Sequence, residues 1–132
     1  DEDWLERVKE LTDGRGADVI NDPVGGDTFD KSTKCIAFEG RLLVIGIASG
    51  RIPSMQMNRV MLKNISLVGL HWGAYFDEDP RVLRDAQAEI SRLHQEGKIT
   101  PLISATFPLE EARAALDALG SRKTTGKVIL VP

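Results

Sequence analysis

The sequence predicts an α/β fold in which a partial doubly wound parallel sheet is flanked by helices. Apolar runs alternate with stretches of helical period, and this alternation is typical of right-handed crossovers between parallel strands. The strand predicted at 41–46 contains four consecutive apolar residues, so both of its faces should be buried. Glycine-bearing turns follow two of the strands, at 22–26 and 46–50, where open α/β sheets bind ligands. The sequence contains no GxGxxG-type turn, so the sheet is expected to be Rossmann-like but to lack the first glycine-rich βαβ half.

Five apolar runs predict the strands. The strands at 17–21, 41–46 and 65–70 form the minimum core of the sheet. The strands at 102–107 and 127–131 are spaced differently along the chain from the first three, so they are expected to belong to another layer.

Capping residues and stop signals delimit the helices of the first half. A first helix should begin after Asp3, which can cap it, and should stop at Asp13-Gly14. Asp27 is expected to cap a second helix, which should end at Gly40. The inward face of this second helix is predicted to consist of Phe29, Ser32, Thr33, Ile36 and Ala37.

The second half is predicted to begin with an aromatic loop at 71–76. Asp79-Pro80 is a strong start signal for a long helix that should end at Gly97, because Asp caps well and Pro suits the first helical position. Pro108 is expected to open a last helix. The apolar face of that helix is predicted to hold Leu109, Ala112, Leu116 and Leu119.

The methionines and the single cysteine are interpreted as packing residues. Met55, Met57 and Met61 form an apolar group at and before a short helix expected at 58–63, and packing is favoured over a cofactor contact. Cys35 cannot form an internal disulfide, and one cysteine with two widely spaced histidines does not make a zinc motif.

Composition and charge exclude several classes of partner. The net charge of -3 argues against a nucleic-acid surface, and no apolar run approaches the ~20 residues of a membrane span. The lone cysteine is compatible with a reducing cytoplasm, where the protein is expected to reside. The chain begins with Asp1 rather than Met, so we expect it to be a piece of a longer protein.

Seven short stretches carry a resemblance to a known family. They lie, in this order, at 13–19, 22–27, 40–46, 62–64, 72–75, 108–112 and 125–128. With these stretches the chain resembles the zinc-free quinone oxidoreductase branch of the medium-chain dehydrogenase/reductase superfamily. The resemblance spans nearly all of the chain and implies NADPH as cofactor, no zinc, and hydride transfer to a quinone or a related α,β-unsaturated carbonyl.

The resemblance also implies a domain organisation. Residues 1–100 would be the C-terminal half of the dinucleotide-binding domain, and 101–132 a return segment that rejoins an N-terminal, GroES-like catalytic domain. The glycine-rich turn would precede Asp1, so the fragment alone is expected to be inactive. The family implies a homodimer through the edge strand Ile65–Leu70, with a small molecule as substrate. Which quinone is used, and NADPH over NADH, cannot be read from these residues.

The resemblance further implies a set of cofactor-binding residues, and no residue is predicted to be catalytic. The set consists of Pro23, Val24, Gly25, Gly46, Ile47, Ala48, Ser49, Trp72 and Lys127. A side chain at Gly46 is expected to occupy the space of the nicotinamide ring and to affect folding less.

Simpler interpretations of these residues stay open. The first turn could be an ordinary strand-to-helix connection, and the second a plain loop. His71 could act as a general acid or face solvent or a dimer partner. Tyr75 could face the substrate or pack on the long helix, and Lys127 could simply begin an edge strand.

Two alternatives for the function as a whole also remain. One is an enoyl or alkenal reductase of the same superfamily. The other is a non-catalytic dimerisation or regulatory module.

Overall fold

The computed structural model describes residues 3–121 and 124–132, which group into two compact units that divide between Glu78 and Asp79. The predicted division at 100/101 concerns the complete enzyme and stays a prediction.

The first unit is a parallel sheet with helices. Its elements are α1 (Trp4–Leu11), β1 (Ala17–Asp22), α2 (Gly26–Cys35), β2 (Ile36–Val44), α3 (Met57–Lys63), β3 (Ser66–Gly69), a 3₁₀ turn (Trp72–Ala74) and α4 (Tyr75–Glu78). The three strands are ordered β1-β2-β3 and pair in parallel. Asp22 pairs with Val44, and Val44 pairs with Gly69, so the strands end level at one edge of the sheet. The predicted α/β fold is confirmed.

The core of this unit lies between the sheet and the helices α2 and α3. Phe29, Ile36, Leu42 and Ile65 are buried together, and Leu42 has 0% exposure. Met55 packs against this cluster. The predicted packing role does not hold for Met57 and Met61, which are 68% and 67% exposed.

The predicted boundary between the second helix and the second strand is wrong. α2 ends at Cys35, and Ile36 already pairs with Ala17 as part of β2. Ile36 and Ala37 are buried as predicted, but in a strand rather than on a helix face. The register then shifts before Arg41 pairs with Val19, and Glu39 within this irregular stretch has φ of 58°. Pairing with β1 therefore overrides the local helical period.

The predicted caps have mixed outcomes. Asp3 accepts a hydrogen bond from the amide of Leu5 at 3.2 Å, so the first cap is confirmed. Asp27 does not cap α2, because the helix already begins at Gly26 with Gly25 in the cap position.

The prediction of an aromatic loop at 71–76 is wrong in part. Trp72–Ala74 is a 3₁₀ turn, and Tyr75–Glu78 is helical.

The second unit contains α5 and a second, smaller sheet. Its elements are α5 (Pro80–Gln95), β4 (Ile103–Pro108), a 3₁₀ turn (Leu109–Glu111), α6 (Ala112–Gly120) and β5 (Lys127–Val131). Asp79 accepts from the amide of Arg81 at 3.2 Å and caps α5 as predicted. β4 and β5 form their own parallel two-stranded sheet, separate from β1–β3 as predicted; their placement in another layer stays a prediction.

The leucine face predicted for the last helix is not the buried one. Leu109, Leu116 and Leu119 are 56%, 68% and 52% exposed, whereas Ala115 is 4% exposed. Periodicity identifies an apolar stripe but not the face that packs, and the small alanine side chain lies on the buried face here. None of the described helices is long and apolar enough to cross a membrane.

Candidate nicotinamide site at the carboxyl edge of the sheet

Two turns lie side by side at the carboxyl edge of the three-stranded sheet, the first after β1 and the second after β2. The amide of Ala48 donates to the carbonyl of Pro23 at 3.2 Å, and the amide of Ser49 donates to the carbonyl of Val24 at 2.9 Å. These bonds link the turns beyond the ends of the strands. The structure therefore brings the predicted residues of both turns together.

Asp22 fixes both turns, and the sequence reasoning missed it. It is 1% exposed, and its Oδ1 accepts from the amides of Val24 and Gly25, each at 2.9 Å. Its backbone carbonyl accepts from the amides of Ile45 at 3.0 Å and Gly46 at 3.4 Å. An aspartate directly before Pro-x-Gly is the usual start of such a side-chain-to-backbone turn, so the signal was present in the sequence.

Glycine is required at Gly46 by the close approach of the first turn. A Cβ atom there would lie 2.7 Å from the carbonyl oxygen of Pro23. The expectation that a side chain at Gly46 would affect folding less than it affects the cofactor is therefore wrong, because the side chain would clash with the backbone of the first turn. Gly25 is constrained for another reason: its φ of 67° suits glycine.

Ser49 and Arg51 close the second turn. The Ser49 hydroxyl accepts from the amide of Arg51 at 3.2 Å. The guanidinium of Arg51 reaches back to α2, where it binds Asp30 and, at 2.8 Å, Asp27. These bonds raise the pKa of the Arg51 guanidinium, and the bond to Asp30 has the largest effect. Through Asp27, Arg51 thus links the second turn to the N-terminal end of α2.

The end of β3 continues the same edge. The amide of Leu70 donates to the carbonyl of Val44 at 3.0 Å, so this end lies beside the second turn. Trp72 is 45% exposed, and its ring lies 5.7 Å from that of Tyr75. A shallow cavity of about 260 Å³ opens here, lined by Gly69, Leu70, His71, Ala74, Tyr75 and Glu78.

Lys127 lies in the second unit, where it begins β5. Its amide donates to the carbonyl of Leu102 at 2.8 Å, and its side chain is exposed. Its role as a cofactor contact stays a prediction.

The described residues offer little acid–base or metal chemistry. Within 3–121 and 124–132, no three or more His, Cys, Asp or Glu side chains are grouped so that they could hold a metal ion. The predicted absence of zinc stays a prediction. Cys35 is buried, and this burial raises the pKa of its thiol, which disfavours the reactive thiolate.

Comparison with known proteins assigns the chain to a family. The family model described as zinc-binding dehydrogenase matches residues 1–130. The chain belongs to the zinc-binding dehydrogenase family. This membership confirms the resemblance on which the sequence prediction rested.

The names of two similar proteins are informative. A quinone oxidoreductase-like protein 2 homolog from Nematostella vectensis is 44% identical over 130 residues, which cover 98% of this chain and 36% of the relative. A 2-haloacrylate reductase from a Burkholderia species is 31% identical, covering 99% of this chain and 40% of the relative. The chain thus spans between a third and a half of the length of these relatives.

A solved structure shows the same fold. A mycobacterial protein complexed with NADPH superposes with a TM-score of 0.78 at 32% identity, covering 98% of this chain and 40% of that protein. The chain is therefore similar in sequence to a quinone oxidoreductase-like protein and to a 2-haloacrylate reductase, and similar in fold to an NADPH-bound protein.

Proposed function

We propose that the chain is the C-terminal segment of an NADPH-dependent quinone oxidoreductase. The enzyme would transfer a hydride from the nicotinamide to a quinone or a related α,β-unsaturated carbonyl. The observation that carries this proposal is the pair of hydrogen-bonded turns at the carboxyl edge of the sheet, where open α/β sheets bind ligands. The names of the Nematostella relative and of the NADPH-bound neighbour support it.

The two turns fit a nicotinamide because they present backbone and small side chains. Ile47 is 43% exposed, and Ala48 and Ser49 are also exposed, so a flat ring could lie against this surface. When bound, the nicotinamide supplies the hydride chemistry. The residues of the chain bind it, orient it and keep water away, which suits a site without grouped catalytic side chains.

The return segment 101–132 is proposed to pack against a catalytic domain in the complete enzyme. Leu109, Leu116 and Leu119 are each more than half exposed. Exposed apolar side chains that cluster on one face commonly mark an interaction surface, and this supports the proposal.

A homodimer through β3 and a cytoplasmic location complete the proposal. β3 is an edge strand of its sheet, and Leu67 and Val68 on it are 37% and 40% exposed. An exposed apolar edge favours pairing with a second copy.

A reductase of activated alkenes is the second candidate, favoured by the 2-haloacrylate reductase relative. Both acceptors are electron-poor double bonds conjugated to a carbonyl group. Both reactions would therefore use the nicotinamide bound at the two turns in the same way. They would differ in the residues that bind the acceptor.

The test is an assay of the complete enzyme that carries this chain. We expect NADPH consumption, followed at its nicotinamide absorbance, to depend on added quinone. Faster turnover with 2-haloacrylate than with any quinone would select the second candidate. Absence of nicotinamide binding by the complete protein would contradict both and leave the dimerisation or regulatory module.

A further inference from the structure

The carboxylate of Asp22 is left incompletely paired inside the protein. Among residues 3–121 and 124–132, its Oδ2 is the buried side-chain atom that lacks a hydrogen-bond partner. The other oxygen, Oδ1, is held by two backbone amides at 2.9 Å. The hydrogen-bond partners that the structure shows for this carboxylate are thus neutral amides.

A buried carboxylate with one unpaired oxygen is costly, so its retention needs a reason. Holding the first turn requires only one acceptor, and a neutral asparagine could provide it through its carbonyl oxygen. What aspartate adds is a negative charge at the junction of the two turns. Because this charge is shielded from water, its field at the turns is stronger than that of a surface carboxylate.

We propose that Asp22 is a positioning residue that fixes both turns and, by its charge, favours the oxidised form of the nicotinamide bound there. This inference rests on the proposed function. Hydride transfer breaks the C4–H bond of the neutral dihydronicotinamide, and both electrons leave with the hydrogen for the quinone or enone. The ring that remains is a cation, which a nearby negative charge stabilises. Asp22 therefore makes the bound NADPH a better hydride donor.

The test is the affinity of the complete enzyme for NADP⁺ and for NADPH, measured separately by calorimetry. Asp22→Asn keeps the size of the side chain and an acceptor for the two amides, but removes the charge. We expect the ratio of the Kd for NADP⁺ to the Kd for NADPH to rise by about tenfold or more, because removal of the charge weakens binding of the cationic ring and leaves binding of the neutral ring unchanged. A role in turn geometry alone would weaken both forms equally and leave the ratio unchanged.

Two further variants complete the experiment. Asp85→Asn makes the same change on the exposed face of α5 and should leave the ratio unaltered. Asp22→Ser is a smaller neutral acceptor and should shift the ratio in the same direction as Asp22→Asn. A constant ratio in folded variants, or loss of folding in both, would overturn the electrostatic role and assign Asp22 to stability. Failure of the unaltered enzyme to bind either nucleotide would instead contradict the proposed function.

Discussion

At the scale of single residues, the candidate site depends on how closely two backbone segments approach. Gly46 lies against Pro23 so tightly that a Cβ atom would come within 2.7 Å of the carbonyl oxygen. Gly69, at the end of β3, has nothing within 4 Å of the position of a Cβ atom and does not have a positive φ. These two glycines, on neighbouring strands of one sheet, therefore serve different purposes.

We predict that Gly46→Ala lowers the free energy of unfolding of the chain by about 1–3 kcal/mol, because overpacking forces the two turns apart. Gly69→Ala is the matched control. It should leave stability unchanged or raise it slightly, since alanine reduces the freedom of the unfolded chain. Urea unfolding followed by circular dichroism measures both, and equal stability of the two variants would show that the turns are not in contact.

Ala48 is a cleaner probe of the nicotinamide wall than Gly46, because it already carries a Cβ atom and is exposed. We predict that Ala48→Phe raises the KM of the complete enzyme for NADPH and lowers turnover, since a misplacement of the ring by ~1 Å can cost about a hundredfold in rate. Ala88→Phe, on an exposed position of α5, should leave the kinetics unaltered. If Ala48→Phe behaves like this control, the second turn does not contact the cofactor.

The sequence was sufficient to find the two turns but not the residue that joins them. Glycine at strand ends and the resemblance both pointed to 22–26 and 46–50. The sequence marks Asp22 as the start of a turn, but it does not mark it as a buried residue that joins two turns. Its burial becomes evident only when the neighbouring strand is in place.

At the scale of elements, burial could be predicted better than boundaries. Ile36 and Ala37 are buried as their spacing indicated, yet they belong to β2 because Ile36 pairs with Ala17. Such pairing joins residues far apart in sequence, so local periodicity cannot report it. The same limit explains α6, where the leucine stripe was visible but Ala115 faces inward.

The edge strand β3 carries the prediction on assembly. Val68→Pro removes a backbone donor from an edge strand and should weaken the proposed dimer. Val68→Thr keeps that donor and the β-branched shape, so it should leave the dimer intact. Sedimentation of the complete enzyme measures both, with a melting curve to verify folding. An unchanged dimer with proline, or a monomer before any substitution, would contradict pairing through this strand.

At the scale of the whole molecule, the 132 residues are expected to bind NADPH weakly or not at all. The GxGxxG-type turn, which the sequence lacks, would provide the backbone donors for the pyrophosphate. Loss of several charge-assisted hydrogen bonds, at ~1.5–3 kcal/mol each, removes most of the affinity. Calorimetric titration of the chain with NADPH tests this, and low-micromolar binding would contradict it.

The parallel pairing of β1, β2 and β3 has a consequence for how the first unit acquires its structure. Parallel neighbours cannot be joined by a tight hairpin, so each pair forms only after a helical crossover has closed a loop. Ala17 must meet Ile36 across α2, and Val44 must meet Gly69 across α3. Because loop closure costs entropy before the contacts reward it, folding of this unit should be slow, with its rate governed by contacts between α2 and the strands on either side of it.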